Sequence, residues 1–167
     1  MALLKNGKPA TDVFLDVSTA ETIPPDGAII VSLDQWQNSA AQLHARKEPL
    51  GIVLRSHEKP AAIAEDVQKF AVIALDFPAF GDGRAYSSAR LLRERYKYQG
   101  ELRAVGDVLL EQLHFMHRVG FDAFELASED AARDWQIAAS DISVWYQPTS
   151  DGRPHALRLR HQAAGDN

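Results

Sequence analysis

Charged side chains follow several apolar runs of this sequence, at the points where β-strands are expected to end. Asp76 comes directly after the run 70–75, and Asp107 comes two residues after the run 102–105. Because ligands bind beyond the carboxyl ends of parallel strands, these residues are expected to share one rim. Asp76 or Asp107 is the candidate for moving protons, and Asp76 with Asp82 can share general acid and base work or hold Mg²⁺. The alternative is that these aspartates are only turn and cap residues.

A glycine-rich turn leads from Asp76 into a predicted helix that starts at Arg84. With Asp82 or Gly83 at its cap, the amides of the first turn point at the rim and can bind an anion, with arginine side chains adding hydrogen bonds. The alternative is that Asp82 only caps the helix and the arginines form a solvated face. The residues predicted to bind an anion or ligand are Asp82, Gly83, Arg84, Tyr86, Arg90 and Arg103.

The predicted helix over 84–98 has one basic and aromatic side. Tyr86, Arg90, Arg93 and Lys97 recur at intervals of three and four residues and so lie along that side. We expect Ala89, Leu92 and Tyr96 to face the sheet instead. The basic side can bind a phosphate, a sulfate-like anion or an acidic partner protein, or it can be only a solvated face.

Other catalytic patterns are weak or absent. Glu111, His114 and His117 have a three-residue spacing, but they lack the paired histidines of a zinc-protease helix, and we predict no metal site. No serine stands in a G-x-S-x-G turn. Tyr86 stands where a dinucleotide-binding loop has its third glycine, so the sequence does not match that loop. The chain has no cysteine and hence no thiol nucleophile. The sequence therefore names no cofactor.

Short apolar runs alternate with amphipathic stretches along most of the chain. The runs 28–33, 50–54, 70–75, 102–105 and 123–127 are predicted strands, 142–146 is a sixth, and the links between them are short. This alternation predicts an α/β fold with a mainly parallel sheet of five or six strands, as an open sheet or a partial barrel. A hairpin formed by 2–4 and 13–17 precedes it.

The length and charge of the chain limit the number of domains and the kinds of partner that we expect. Its 167 residues suit one α/β domain over 1–147, followed by a loose C-terminal tail over 148–167. Neither an apolar leader nor a membrane-spanning run is present, which favours a cytoplasmic protein that does not bind membranes. The net charge of −5 argues against non-specific binding of nucleic acid.

The central part of the chain resembles the bacterial family called domain of unknown function 934. The similarity lies in DFPAFGDGRAYS over 76–87, ARLLRERY over 89–96, GELRAVGDVL over 100–109 and RVGFDAF over 118–124. Members of this family are provisionally labelled oxidoreductases and tend to be encoded beside sulfite reductase. The resemblance therefore implies a part in assimilatory sulfate or sulfite reduction, but it supplies no catalytic residues.

The sequence leaves three functions open. The first is an accessory protein that docks onto sulfite reductase or its electron donor through the rim and the basic helix. The second is an enzyme on a small sulfur- or phosphate-containing anion, with Arg84, Arg90 and Arg103 binding the anion and Asp76 or Asp107 moving protons. The third is a structural or interaction protein without a small ligand.

Overall fold

A computed structural model describes residues 1–128, 130–140, 144–146, 148–149 and 152–165. Eight strands form one curled, open sheet that resembles half of a barrel. Their order across the sheet is β2-β1-β8-β7-β6-β5-β4-β3. The strands are β1 (Ala2–Lys5), β2 (Lys8–Ala10), β3 (Leu15–Asp16), β4 (Ile29–Ser32), β5 (Leu50–Leu54), β6 (Val72–Phe77), β7 (Glu101–Gly106) and β8 (Ala123–Leu126).

The described residues also contain six α-helices and two short 3₁₀ turns. The helices are α1 (Leu33–Asn38), α2 (Ala40–His44), α3 (Arg84–Glu94), α4 (Leu110–Arg118), α5 (Ala131–Ser140) and α6 (Ala156–Gly165). The 3₁₀ turns, Pro60–Ile63 and Val67–Lys69, connect β5 to β6. Helix α3 connects β6 to β7, and α4 connects β7 to β8.

Strands β3 to β8 run parallel and lie in chain order, so the helices between them pack on the same, outer face of the sheet. Ile73 of β6 and Ala104 of β7 are fully buried and join the helices in one apolar core on that face. From α3, Ala85, Ala89 and Leu92 enter this core, each at most 3% exposed. This packing fixes α3 against β6 and leaves its opposite side in solvent.

The inner face of the curled sheet has its own small apolar cluster. Ile30, Val53, Val72 and Ala74 form it, and Phe14 packs against them from the segment before β3. Beside this cluster Arg103 of β7 lies 1% exposed among carboxylates. The inner face is therefore filled by this chain's own side chains at its centre.

The α/β class and the mainly parallel sheet are confirmed, whereas the predicted number of strands is wrong. The sheet has eight strands, with antiparallel pairs where β1 meets β2 and β8. Strand β2 has only three residues and contains Pro9, so the sequence pattern does not reveal it, whereas β3 lies within the predicted segment 13–17. Of the two geometries left open, the sheet takes the partial-barrel form.

The N-terminal hairpin is present, but its second strand is Lys8–Ala10 and not the predicted 13–17. Asn6 and Gly7 have φ values of 49° and 74°, which permits a two-residue turn and starts β2 at once. Pro9 fits there because β2 is an edge strand. Part of the predicted strand, Leu15–Asp16, pairs in parallel with β4 instead.

Several helix bounds also differ from the predictions. The predicted helix over 34–45 is two helices, and Ser32 caps the first of them in a capping box with Gln35. Helix α3 ends at Glu94, because Lys97 has a φ of 54° and Tyr98 turns into the core. The predicted helix over 61–69 forms only the 3₁₀ turns.

The C-terminal predictions are only partly covered by the described residues. Positions 129, 141–143, 147, 150–151 and 166–167 lie outside them, so the predicted strand over 142–146 is described only at 144–146. There Trp145 makes an isolated parallel bridge with His155. The division into a domain over 1–147 and a tail over 148–167 stays a prediction, and helix α6 lies in the second part.

Candidate docking face and strand-end rim

The turn after β6 is held by backbone and carboxylate contacts from the end of β7. The Asp107 amide donates to the Phe77 carbonyl oxygen at 2.7 Å, and the Phe80 amide donates to the Asp107 carboxylate at 2.8 Å. Gly106 has a φ of 92°, a conformation that L side chains rarely adopt. Asp107, predicted as a proton-transfer residue, is therefore placed as a support for the turn.

Asp82 and Arg84 pair with each other at the start of α3. The Asp82 carboxylate accepts from the Arg84 amide at 3.1 Å and from its guanidinium at 2.6 Å, while Gly83 is the N-cap. The hydrogen bonds from the Arg84 side chain lower the pKa of Asp82 well below its usual range. Arg84 also donates to Ser56 at 2.8 Å. A carboxylate of this chain thus occupies the place predicted for an external anion.

Asp76 lies on the inner face at the end of β6. Its carboxylate is 3.5 Å from the Arg55 guanidinium, and its register partner on β7 is Val105. Asp76 and Asp107 consequently have different partners, an arginine for the first and the turn amide of Phe80 for the second. Their role in proton transfer stays a prediction.

Arg103 is the most enclosed charged residue of the inner face. Its guanidinium lies 2.6 Å from Asp12, 2.7 Å from Glu101 and 3.1 Å from Glu125. Burial acts to lower the pKa of Arg103, but the hydrogen bonds and charges of Asp12 and Glu101 outweigh it and raise this pKa. Three carboxylates already pair with the guanidinium. Arg103 as a whole is 1% exposed.

The structure separates the arginines that were predicted to bind one anion. Arg84 pairs with Asp82 at the rim, Arg103 lies inside the curled sheet, and Arg90 pairs with Glu94 at 2.9 Å on the solvent side of α3. Neither Arg84 nor Arg103 lines the hollow on the outer side of α3, the hollow beside α4 or the two others described at Arg93 and at Asp12. The predicted anion site is thus distributed over three separate places.

Arg93 does not belong to the basic side of α3 where the sequence pattern places it. Its guanidinium donates to the carbonyl oxygens of Gly120, Tyr98 and Gly100 at 2.8–2.9 Å and pairs with Asp122 at 2.8 Å. Arg93 therefore ties α3 to the loops at the opposite end of the sheet. Its side chain is consequently only 17% exposed.

The outer side of α3 forms a shallow hollow of about 450 Å³. Leu91 lies in it at 42% exposure, and the other lining residues are Ser87, Arg90, Glu94 and Arg95. We call these five residues the α3 face. Leu91 is not among the residues predicted from the sequence, although Ala85, Ala89 and Leu92 share the buried side and so turn the neighbouring Leu91 outward.

A second hollow, of about 640 Å³, lies between the turn and α4. Phe80, Gly81, Gly83 and Tyr86 line one wall, and α4 supplies the other through Glu111, Gln112, Phe115, Arg118 and Val119, with Thr149 at one end. We call this hollow the α4 groove. Tyr86 is half-buried in it, and burial raises the pKa of its hydroxyl. The lining of the α4 groove is largely apolar and aromatic.

The two histidines of α4 bind to backbone carbonyls. His114 Nδ1 lies 3.0 Å from the Ala138 carbonyl oxygen, and His117 Nδ1 lies 3.2 Å from that of Phe121. Across the described residues, no group of three or more histidines and carboxylates is placed to hold a metal ion. In the same part of the chain no helix is long and apolar enough to cross a membrane.

Comparison with known proteins gives a family but no named relative. No curated protein matches the sequence. The family model described as bacterial protein of unknown function (DUF934) matches residues 51–156, more than half of the 167 residues, and this range includes the rim, α3 and α4. The chain belongs to the DUF934 family of bacterial proteins.

Proposed function

We propose that this protein is an accessory protein of assimilatory sulfite reduction that docks through the α3 face onto sulfite reductase or its electron donor. The sulfur assignment comes from the family resemblance. The docking assignment comes from one observation, the 42% exposed Leu91, which lines the same hollow as Arg90 and Arg95.

An apolar side chain among arginines suits a protein partner. Leu91 offers apolar area that loses water on contact, and arginines are enriched where proteins bind each other. The segment from Arg84 to Lys97 contains five basic residues and one acidic residue, in a chain whose net charge is −5. An acidic surface on the partner is therefore attracted to α3 in particular.

The rim favours this proposal over an enzyme on a small anion. Asp82 and Arg84 pair with each other, and Arg103 is enclosed by carboxylates of the same chain. An anion would have to compete with these intramolecular partners. A protein that binds at the α3 face leaves these pairs in place and competes only with the solvent-exposed pair of Arg90 and Glu94.

The experiment is capture of sulfite reductase, and separately of its electron donor, by the purified protein. We expect capture by the wild-type chain and weak capture by the double variant Arg90→Glu with Arg95→Glu. Lys8→Glu is the matched control, because Lys8 is exposed in β2 at one edge of the sheet. Capture of neither protein by the wild-type chain would refute the proposal.

A further inference from the structure

His114 of α4 joins three parts of the fold through one imidazole ring. Its Nδ1 lies 3.0 Å from the Ala138 carbonyl oxygen of α5, and its ring stacks on the indole of Trp145 with the two ring centroids 4.0 Å apart. His114 and Trp145 are both buried. The imidazole therefore fastens α5 and the C-terminal part of the chain to α4.

Trp145 in turn is attached to helix α6. The Trp145 carbonyl oxygen accepts a hydrogen bond at 2.5 Å from the amide of Ala156, the first residue of α6, and Trp145 forms an isolated parallel bridge with His155. The Arg118 guanidinium of α4 lies 4.1 Å from the centre of the Trp145 ring. The contact of Trp145 with α4 is consequently a link between α6 and the rest of the fold.

The hydrogen bonding of His114 suits only the neutral ring. A carbonyl oxygen can only accept, so Nδ1 carries the proton and Nε2 of the neutral ring has an unused lone pair. Within the part of the chain that the structure describes, this buried Nε2 has no hydrogen-bond partner. Protonation would create a buried N–H without an acceptor and a charge without water, which costs far more than an unused lone pair.

The charges around the ring add to that cost. Burial is the main cause that lowers the pKa of His114, and the charges of Arg118 and His117 on α4 and of Arg153 in the C-terminal part act in the same direction. The bond to the α5 carbonyl opposes them. Acidification would therefore place a second cation against the indole of Trp145, which the Arg118 guanidinium already covers.

We propose that His114 is a pH-sensitive latch, which holds Trp145 and α6 on α4 while its ring is neutral and releases them when its ring is protonated. Release brings water to the imidazolium. Helix α4 itself stays in place, because Leu113 and Met116 are fully buried in the apolar core. Thr149 lies between Trp145 and α6 in the chain and lines one end of the α4 groove, so release also opens that end.

The pH range of the latch follows from the direction of the pKa shift. The closed latch favours the neutral ring, so it is stable above the ordinary value of 6.5 and opens as pH falls below that value. Until pH reaches the lower pKa of the closed ring, the ratio of open to closed molecules rises about tenfold for each unit by which pH falls. The latch uses no residue of the α3 face, so its failure and the failure of docking are separate outcomes.

Fluorine NMR of the full chain labelled with fluorotryptophan tests the latch. The chain has three tryptophans, and loss of one resonance in Trp145→Phe assigns Trp145. The shift of each resonance between H₂O and D₂O measures how far that indole meets solvent, whatever the charge of a neighbouring histidine. From about pH 8 to about pH 5, we expect Trp145 to gain the solvent shift of an exposed indole, while Trp36 in the core stays shielded.

Either of two wild-type results would overturn the inference. A Trp145 that stays shielded from solvent at about pH 5 would show that the contact does not open. Exposure of Trp36 together with Trp145 would show that acid unfolds the whole protein and does not release one segment.

Two variants separate His114 from the other groups that titrate in this range. His114→Phe keeps a ring against Trp145 that cannot be protonated, so Trp145 should stay shielded at the acidic end of the titration. His161→Gln is the control, because His161 is exposed in α6, and it should behave as the wild type does. Equal release of Trp145 by acid in His114→Phe and in the wild type would refute the role of His114.

Discussion

The Arg84 guanidinium lies 2.6 Å from the carboxylate of Asp82, two residues before it in the chain. This pair occupies the amino end of α3 and joins it through Ser56 to the loop after β5. The rim therefore presents paired charges at the start of α3. The exposed apolar and basic side chains of α3 lie on the outer side of the helix.

Removal of the Arg84 guanidinium is expected to raise the pKa of Asp82 toward the ordinary value of an aspartate. The hydrogen bonds from Arg84 are the largest cause of the lowered pKa. NMR titration of the Asp82 carboxyl carbon in wild type and Arg84→Ala measures the change. Arg90→Ala is the control, because Arg90 pairs with Glu94. An unchanged Asp82 pKa in Arg84→Ala would contradict the pairing.

Replacement of Arg103 is expected to destabilise the fold strongly. Arg103→Met leaves Glu101 paired only with Lys5 and removes the enclosed partner of Asp12 and Glu125, which costs about 3 kcal/mol of unfolding free energy. Arg55→Met is the comparison, because Arg55 is 41% exposed at its side chain and its pair with Asp76 is longer, and about 1 kcal/mol or less is expected. Urea unfolding measures both, and equal losses would argue against the enclosed role of Arg103.

Two glycines of the rim region are expected to respond differently to alanine. At Gly106 an added Cβ would lie 2.9 Å from the Asp76 carboxylate and press on the Phe77 carbonyl, and φ is 92°. Gly106→Ala should therefore cost about 2–4 kcal/mol. At Gly81 nothing lies within 4 Å of such a Cβ. Thermal unfolding should show Gly81→Ala within about 1 kcal/mol of wild type.

Acidification is expected to weaken the packing around His114. Burial lowers the pKa of His114, Arg118 and Arg153 act in the same direction, and the bond to Ala138 opposes them. A lowered folded pKa favours the neutral ring, so its contribution is present above the ordinary value of 6.5 and is lost as pH falls through the folded pKa. His114→Phe should reduce this pH dependence in urea unfolding below pH 6.5, and an unchanged slope would contradict it.

The alternation of strands and helices is readable from the sequence because each apolar run is bounded by turn residues. The predicted bounds of β5, Leu50–Leu54, are the observed ones. The helical period likewise places Ala89 and Leu92 toward the sheet, where both are fully buried. These predictions depend on neighbouring residues in the chain. They are correct here because the tertiary packing favours the same strand bounds and the same buried helix side.

The ion pairs are not readable from the sequence, because they depend on distant parts of the chain. Asp12 reaches Arg103 across 91 positions, and Arg93 reaches Asp122 across 29. A basic residue on a helix looks the same in sequence whether it meets solvent, as Arg90 does, or a partly buried carboxylate, as Arg93 does. Only the curvature of the sheet and the loop geometry separate the two.

The affinity of sulfite reductase for this protein, measured by calorimetry with wild type and the Arg90→Glu, Arg95→Glu double variant, tests the docking proposal most directly. We expect saturable binding that the double variant weakens about a hundred-fold, because two attractive contacts become repulsive. Equal affinity of sulfite reductase for the wild type and for the double variant would contradict docking through the α3 face. Saturable binding of sulfite that Arg84→Ala abolishes would instead support the small-anion enzyme.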